Sequence, residues 1–278
     1  MKQKTKGRLK AHIKSKSKIN LILSIIVALV LVARFLRADY YSVFLCVLTL
    51  LLFNIPLFVN KRLHVTLPKE LEAVILLFIF SAEILGEIGS FYTHIPWWDT
   101  MLHTINGFLM AAIGFALIDI LNNSPKFHFN MSPIFVAFVA FCFSMTVGVV
   151  WEFFEFSMDY FTLTDMQKDR LVPAISSVLL NPTGLNDEIV IKGIESTTVQ
   201  LADGSTYLIE GGYLDIGIID TMKDLLVNLI GAVVFSIIGY FYIIGRNKGV
   251  FAKKFIPQLQ EKKQPSDKQD PTEKTILE

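Results

Sequence analysis

Charge is scarce in this chain. Asp, Glu, Lys and Arg make up 18% of its 278 residues, against about 25% in an ordinary soluble domain. The few charges crowd into the ends and loops. Cysteine is almost absent: Cys46 and Cys142 are the only two, and both lie inside apolar runs. That excludes a disulfide framework and a thiolate metal motif. There is no P-loop, no dinucleotide fingerprint and no nucleophile motif, which removes the enzyme classes that depend on them. Residues 1–18 contain no acid at all, only eight Lys or Arg. No basic, aromatic-interleaved domain follows them, so nucleic acid is not the expected partner.

What is abundant is apolar surface. Hydrophobic residues make up 53% and the mean hydropathy is +0.51. Six runs approach the ~20 residues that span a bilayer: 19–36, 41–59, 71–92, 99–121, 131–159 and 219–244. Asn54 and Pro56 should kink or end the second. The run from Ile19 to Val32 follows the basic stretch without a small-residue cleavage signature, so it is expected to remain as an uncleaved anchor. The predicted class is an all-α polytopic membrane protein, a six-transmembrane-helix bundle with a small extracytoplasmic β-hairpin insertion. Its expected organisation is a basic cytoplasmic tail at 1–18, a membrane domain at 19–245 and a partly disordered cytoplasmic tail at 246–278. The insertion is 160–218. Strands are expected at Asp187–Lys192, Thr197–Leu201 and Thr206–Glu210. The sequence Ala202-Asp203-Gly204-Ser205 supplies a hairpin turn.

Lys and Arg set the expected orientation. With both termini inside, the cytoplasmic segments hold twenty of them and the opposite segments five: Arg34, Arg37, Lys168, Arg170 and Lys192. The expected location is a bacterial plasma membrane, with the lipid bilayer as the first partner. Tyr92, Trp97, Trp98, Trp151 and Tyr160 then fall near the outer interface, where aromatic anchors belong.

The remaining polar residues converge at that same depth. Asp99 and His103 are four residues apart, as are Asp220 and Asp224, so each pair shares one helical face. Asn228 lies one turn deeper than Asp224. Glu152 and Glu155 share a face in the fifth apolar run, and Glu83 and Glu87 share one in the third. Unpaired carboxylates in lipid must pair, protonate or bind a cation. Basic partners are few, which favours a bound cation or shared protons. The expected ligands of a divalent cation (Mg, Mn or Zn) are Glu152, Glu155, Asp220 and Asp224. His103 is the expected acid or base, oriented by Asp99. Asn228, Glu83 and Glu87 are further polar candidates. Asp99 and Asp220 also fit simple helix N-caps. Gly107, Gly148 and Gly231 fit close helix packing.

Three ordered motifs carry a family resemblance. They are Trp98-Asp99-x3-His103-x3-Gly107-Phe108, Trp151-Glu152-x2-Glu155 and Asp220-Thr221-Met222-x-Asp224-x3-Asn228-x2-Gly231. In these the chain resembles the YjdF-like bacterial inner-membrane proteins over roughly residues 20–245. The resemblance implies a polytopic membrane protein without an established activity. The insertion at about 165–213 is longer than the resemblance leads one to expect. A looser similarity is to VanZ-like membrane proteins, linked to glycopeptide-antibiotic tolerance, through Asp99/His103 and Asp224/Asn228/Gly231. There the acidic helix is expected to carry Glu-x-x-Gln, and this chain has Glu152-x-x-Glu155.

Three expectations for function follow. The first is a metal-dependent envelope enzyme acting on a lipid-linked or phosphate-bearing substrate. The second is a cation- or proton-coupled transporter, for which intramembrane acids would serve as relays. The third is a structural or regulatory membrane protein whose polar cluster locks helix packing.

Overall fold

The computed structural model describes residues 17–62, 65–122, 131–245, 254–256 and 258–259. The basic tail to residue 16 and nearly all of the tail from 246 lie outside the described residues, and so does its expected disorder.

The chain opens with α1 (Lys18–Leu36), capped by the Ser17 hydroxyl, which accepts from the Asn20 N–H. A tight turn leads to α2 (Tyr40–Leu52). Asp39 caps it, its carboxylate accepting from both the backbone and the hydroxyl of Ser42. Helix α3 (Ile55–Arg62) continues the same span after a break at Phe53 and Asn54, as Asn54 and Pro56 predict. A broken helix in lipid leaves carbonyls that water cannot reach. Two buried or half-buried amides answer this: Asn20 donates to the Phe53 carbonyl at 2.8 Å, and Asn54 to the Leu50 carbonyl at 2.8 Å.

Helix α4 (Lys69–Phe80) runs directly into an eight-residue π-helical segment, Ser81–Ile88, and then a single turn, α5 (Phe91–His94). Together these occupy the expected third span. Then come the long helices α6 (Trp98–Asn122), α7 (Pro133–Thr162) and α8 (Ile218–Ile244). Among the described residues, five helices are long and apolar enough to cross a membrane: Lys18–Leu36, Tyr40–Asn60, Trp98–Asp119, Pro133–Thr162 and Ile218–Ile244. Many of their large apolar side chains are exposed, among them Leu29, Phe44, Phe138, Phe153, Leu226 and Ile237. A bilayer covers such surface at no polar cost.

Between α7 and α8 the chain forms short antiparallel pairs. Strand β2 (Leu171–Val172) pairs with β7 (Tyr213–Leu214), β3 (Ala174–Ser177) with β4 (Ile189–Lys192), and β5 (Ser196–Gln200) with β6 (Thr206–Glu210). A further pair joins β1 (Val65–Thr66) to β8 (Gln258–Leu259). The hairpin turn falls at 201–205, where Asp203 accepts from the backbone and hydroxyl of Ser205.

Two layers build the helical body. Helices α1 and α2 pack with α4 and the π-helical segment around Val27, Cys46, Phe53 and Leu76. Helices α6, α7 and α8 each pack on the other two. Their deep core holds Phe115, Val136, Ala140 and Phe235, all fully buried.

The α6–α8 contact is unusually close. A Cβ on Gly107 would stand 2.1 Å from the Asn228 carbonyl oxygen, and one on Gly231 would stand 2.1 Å from the Thr104 carbonyl oxygen. Small residues let membrane helices meet backbone to backbone. Ser144 on α7 fastens the third helix to this point, its hydroxyl donating to the Gly107 carbonyl at 2.7 Å.

Candidate functional site

One turn from the Gly107–Gly231 contact the three long helices present their acids to one another. Asp99 and His103 come from the first two turns of α6, Glu152 and Glu155 from α7, and Asp220 and Asp224 from the start of α8. His103 is 8% exposed, Glu152 4%, Glu155 9%, Asp220 4% and Asp224 2%. Packing therefore removes these groups from solvent and lipid alike.

His103 stands in the middle. Its Nε2 lies 3.5 Å from Asp99 Oδ1 and 4.0 Å from Asp224 Oδ2, and its Nδ1 lies 3.9 Å from Glu152 Oε1. These spacings exceed the usual 2.7–3.2 Å hydrogen bond. Among the described residues, two sets of candidate ligand atoms each fall within 4.8 Å: Asp99, His103 and Asp224, and His103, Glu152 and Glu155. Glu152 Oε2 and Asp224 Oδ1 are buried and make no hydrogen bond. Glu155 has a partner, accepting at 2.9 Å from the Trp151 indole N–H.

Asp220 is engaged differently. Its Oδ2 accepts from the Lys168 backbone N–H at 3.0 Å, while Arg170 and Lys223 approach its Oδ1 at 3.5 and 3.8 Å. Lys223 also lies 3.9 Å from Asp224 Oδ1. Arg170 and Lys223 remain part-exposed, at the mouth of the cluster. Neither Asp99 nor Asp220 is an N-cap. Asp99 lies inside a helix that begins at Trp98, and α8 is preceded by Gly217.

A strap of chain, 163–172, crosses this mouth. Asp159 holds its first part, accepting from the backbone of Met166 and Gln167 at 2.6 and 2.8 Å. Gln167 reaches the Thr221 hydroxyl at 2.6 Å. Asp215 anchors the far part, accepting from the N–H groups of Arg170, Gly217 and Ile219. Partial burial alone would raise the Asp215 carboxyl, but those three donors outweigh it and hold it below its ordinary value of 3.8. Gly217 has a φ of +78°, and a Cβ there would meet Gln167 at 2.7 Å, so the crossing needs glycine.

Asn228 belongs to the floor. It accepts from Asn106 at 3.2 Å, contacts Met145 Sδ at 3.6 Å and fills the space beside Gly148. Glu83 and Glu87 are on the π-helical segment, half-buried and exposed respectively, and belong to neither ligand set. Tyr92 packs its ring on Gly86, within electrostatic reach of Glu83, Glu87, Asp99 and Glu155. The sequence placed Tyr92 and Trp98 among lipid anchors. Here Trp98 is buried with its ring edge-on to Phe91 at 4.8 Å, and Trp97, Trp151 and Tyr160 are the exposed ones. The Lys168 N–H and the Asp159 and Asp215 anchors were not anticipated. A backbone donor leaves no residue-type signal, and an acid in a loop looks like solvated surface.

No curated protein and no solved structure matches the chain. One family model does, across residues 19–175, taking in α1 to α7 with Asp99, His103, Glu152 and Glu155 and ending before Asp220 and Asp224. The chain belongs to that family, described as predicted membrane protein (DUF2238).

Proposed function

We propose that this membrane protein binds a divalent cation in its α6–α7–α8 core and hydrolyses a phosphate bond of a lipid-linked envelope substrate. The observation that carries this reading is the spacing around His103. Four acidic side chains surround one imidazole at distances too long for hydrogen bonds, and two buried carboxylate oxygens make no hydrogen bond. Each such oxygen would be costly to leave bare. A cation held between the ring and these acids would supply the missing partner. Carboxylates with an imidazole suit Mn or Zn, and carboxylates alone suit Mg.

Arg170 and Lys223 support the choice of substrate. They are part-exposed cations beside the cluster, sharing Asp220, and they suit the oxygens of a phosphate. A cation held there by His103 and the surrounding acids would polarise a phosphoryl oxygen and make water a better nucleophile. The water oxygen would bond to phosphorus as the phosphorus–oxygen bond to the lipid-side leaving group breaks, with one water proton passing to solvent and the leaving oxygen taking up another. His103 serves in this reading as a ligand, with acids facing both ring nitrogens, and Asp220 as the residue that positions the two cations and the strap.

The wider setting belongs to the same proposal. Lys69–Ile88, 12 α-helical and 8 π-helical residues in unbroken succession, would be the sixth span. Both termini would be cytoplasmic and the strand pairs would be outside, in a bacterial plasma membrane.

The test uses the full chain in detergent, stripped with chelator and reloaded with Mn or Zn. Phosphate release from a long-chain polyprenyl pyrophosphate and from phosphatidic acid is measured. Metal-dependent turnover without any gradient is the expected result. Metal-loaded protein that releases no phosphate, yet moves protons or metal into sealed vesicles under a gradient, would replace hydrolysis with transport.

A further inference from the structure

The two nitrogens of His103 face different acids. On the Nε2 side stand Asp99 Oδ1 at 3.5 Å and Asp224 Oδ2 at 4.0 Å. On the Nδ1 side stands Glu152 Oε1 at 3.9 Å, with Glu155 completing that set. We propose that the cluster is a two-cation centre, with one divalent ion on each side of the His103 ring. This rests on the cation-binding reading above and goes beyond it in number and arrangement.

Geometry favours two positions over one. Bonds of 2.0–2.2 Å at a tetrahedral ion put two ligand atoms roughly 3.4 Å apart. Each observed spacing closes to that value with a movement of about 0.6 Å or less. An ion within bonding distance of Nε2 cannot also bond Nδ1, because the lone pairs of the two nitrogens diverge across the ring. The candidate ligand sets divide the acids in pairs, Asp99 with Asp224 and Glu152 with Glu155, each pair sharing only His103 with the other. Each side also includes a carboxylate more than nine-tenths buried with one oxygen that makes no hydrogen bond: Asp224, whose Oδ1 has only Lys223 at 3.9 Å, and Glu152, through Oε2.

Charge points the same way. Asp220 is matched by Arg170, Lys223 and the Lys168 N–H. The four acids left facing the ring are Asp99, Glu152, Glu155 and Asp224. Arg170 and Lys223 exceed Asp220 by one positive charge, so with the four acids ionised a single divalent ion leaves one negative charge in the cluster, and two ions leave one positive charge for a ring deprotonated on both nitrogens to cancel. Coordination through both nitrogens displaces the one N–H proton of the neutral ring, which passes to the buffer.

The experiment counts ions. The full chain in detergent is loaded with Zn2+, desalted and analysed for zinc per chain by elemental mass spectrometry. Two per chain is expected for the wild type. Asp99→Asn and Glu155→Gln each keep the shape of the side chain and should each lower the count to one. Should Asp99→Asn fail to insert, Asp224→Asn reports on the same side. One zinc in the wild type overturns the two-ion centre and leaves the cation-binding reading standing. No zinc, with none for Mn2+ or Mg2+, overturns both. A single conservative change that empties both positions also overturns the division into two sides.

Discussion

Replacing Gly231 by alanine tests the packing that holds the cluster together. The added methyl would lie 2.1 Å from the Thr104 carbonyl oxygen and 2.8 Å from the Phe108 nitrogen, where ordinary contact begins at 3.4 Å. The obstacle is backbone, so no side-chain rotation relieves it. Helices α6 and α8 must therefore part by about 1.3 Å along that direction, the difference between contact and clash. Overpacking of this kind costs about 1–3 kcal/mol. Ser144→Ala provides the comparison. It deletes the 2.7 Å bond to the Gly107 carbonyl from the same junction, and an interhelical hydrogen bond in a membrane protein averages about 0.6 kcal/mol. Reversible unfolding in mixed SDS micelles would read both variants, and a detergent melting curve should fall by on the order of 5 °C for Gly231→Ala. The shift should reach the cluster too. Thr104 follows His103 directly, and Asn228 lies one turn beyond Asp224, so parting the helices lengthens the 4.0 Å His103–Asp224 approach. Metal content should fall with stability. A Gly231→Ala protein with wild-type unfolding, or one hurt less than Ser144→Ala, would refute the backbone-to-backbone contact.

Two further outcomes are expected outside the bilayer core. The Asp215 carboxyl is held below 3.8, so its hold on the strap is complete above that pH and is lost as the pH falls through the lowered folded value. Amide exchange at Arg170, Gly217 and Ile219, corrected for intrinsic rate, should quicken across that acid window in the wild type. Asp215→Ala should exchange rapidly at neutral pH already, and unchanged protection in it would remove the anchor. For orientation, a cysteine placed at Ser205 should react with an impermeant reagent on intact cells while one at Ser266 should not. The reverse pattern would turn the molecule over and place the cluster in the cytoplasmic leaflet.

The elements were far more legible than the arrangement of the cluster. Apolar run length located α1, the broken α2–α3 span, α6, α7 and α8 to within a few residues, because a span has little freedom in length. Asn54 and Pro56 marked the α2–α3 break for a local reason, and the turn sequence Ala202–Ser205, with a glycine free to take positive φ, marked the hairpin. Gly107, Gly148 and Gly231 were readable as contact points because only a missing side chain allows such approach. The π-helical character of Ser81–Ile88 was not readable, since its hydrogen-bond register carries no composition of its own. Nor was the position of His103 between the acids. That depends on how three helices are rotated about their axes, and helices apolar on nearly every side give no phase. Asp220 shows the same limit. Its four-residue spacing from Asp224 put it on the right face, but the backbone of Lys168 that claims it is 52 residues away.

The close α6–α8 junction also sets a timetable for synthesis. Asp99 and Asp220 are 121 residues apart, so at about 5–20 residues per second the ribosome needs roughly 6–24 s to deliver the second after the first. Through that interval α6 and α7 are made and their acids have no α8 to close over them. The nascent chain must shelter His103 and Glu152 in the insertion machinery, or hold the acids protonated, until the last long helix arrives. A ribosome stalled before residue 218 would leave a chain with every helix before α8 in place, yet without the helix that covers its acids.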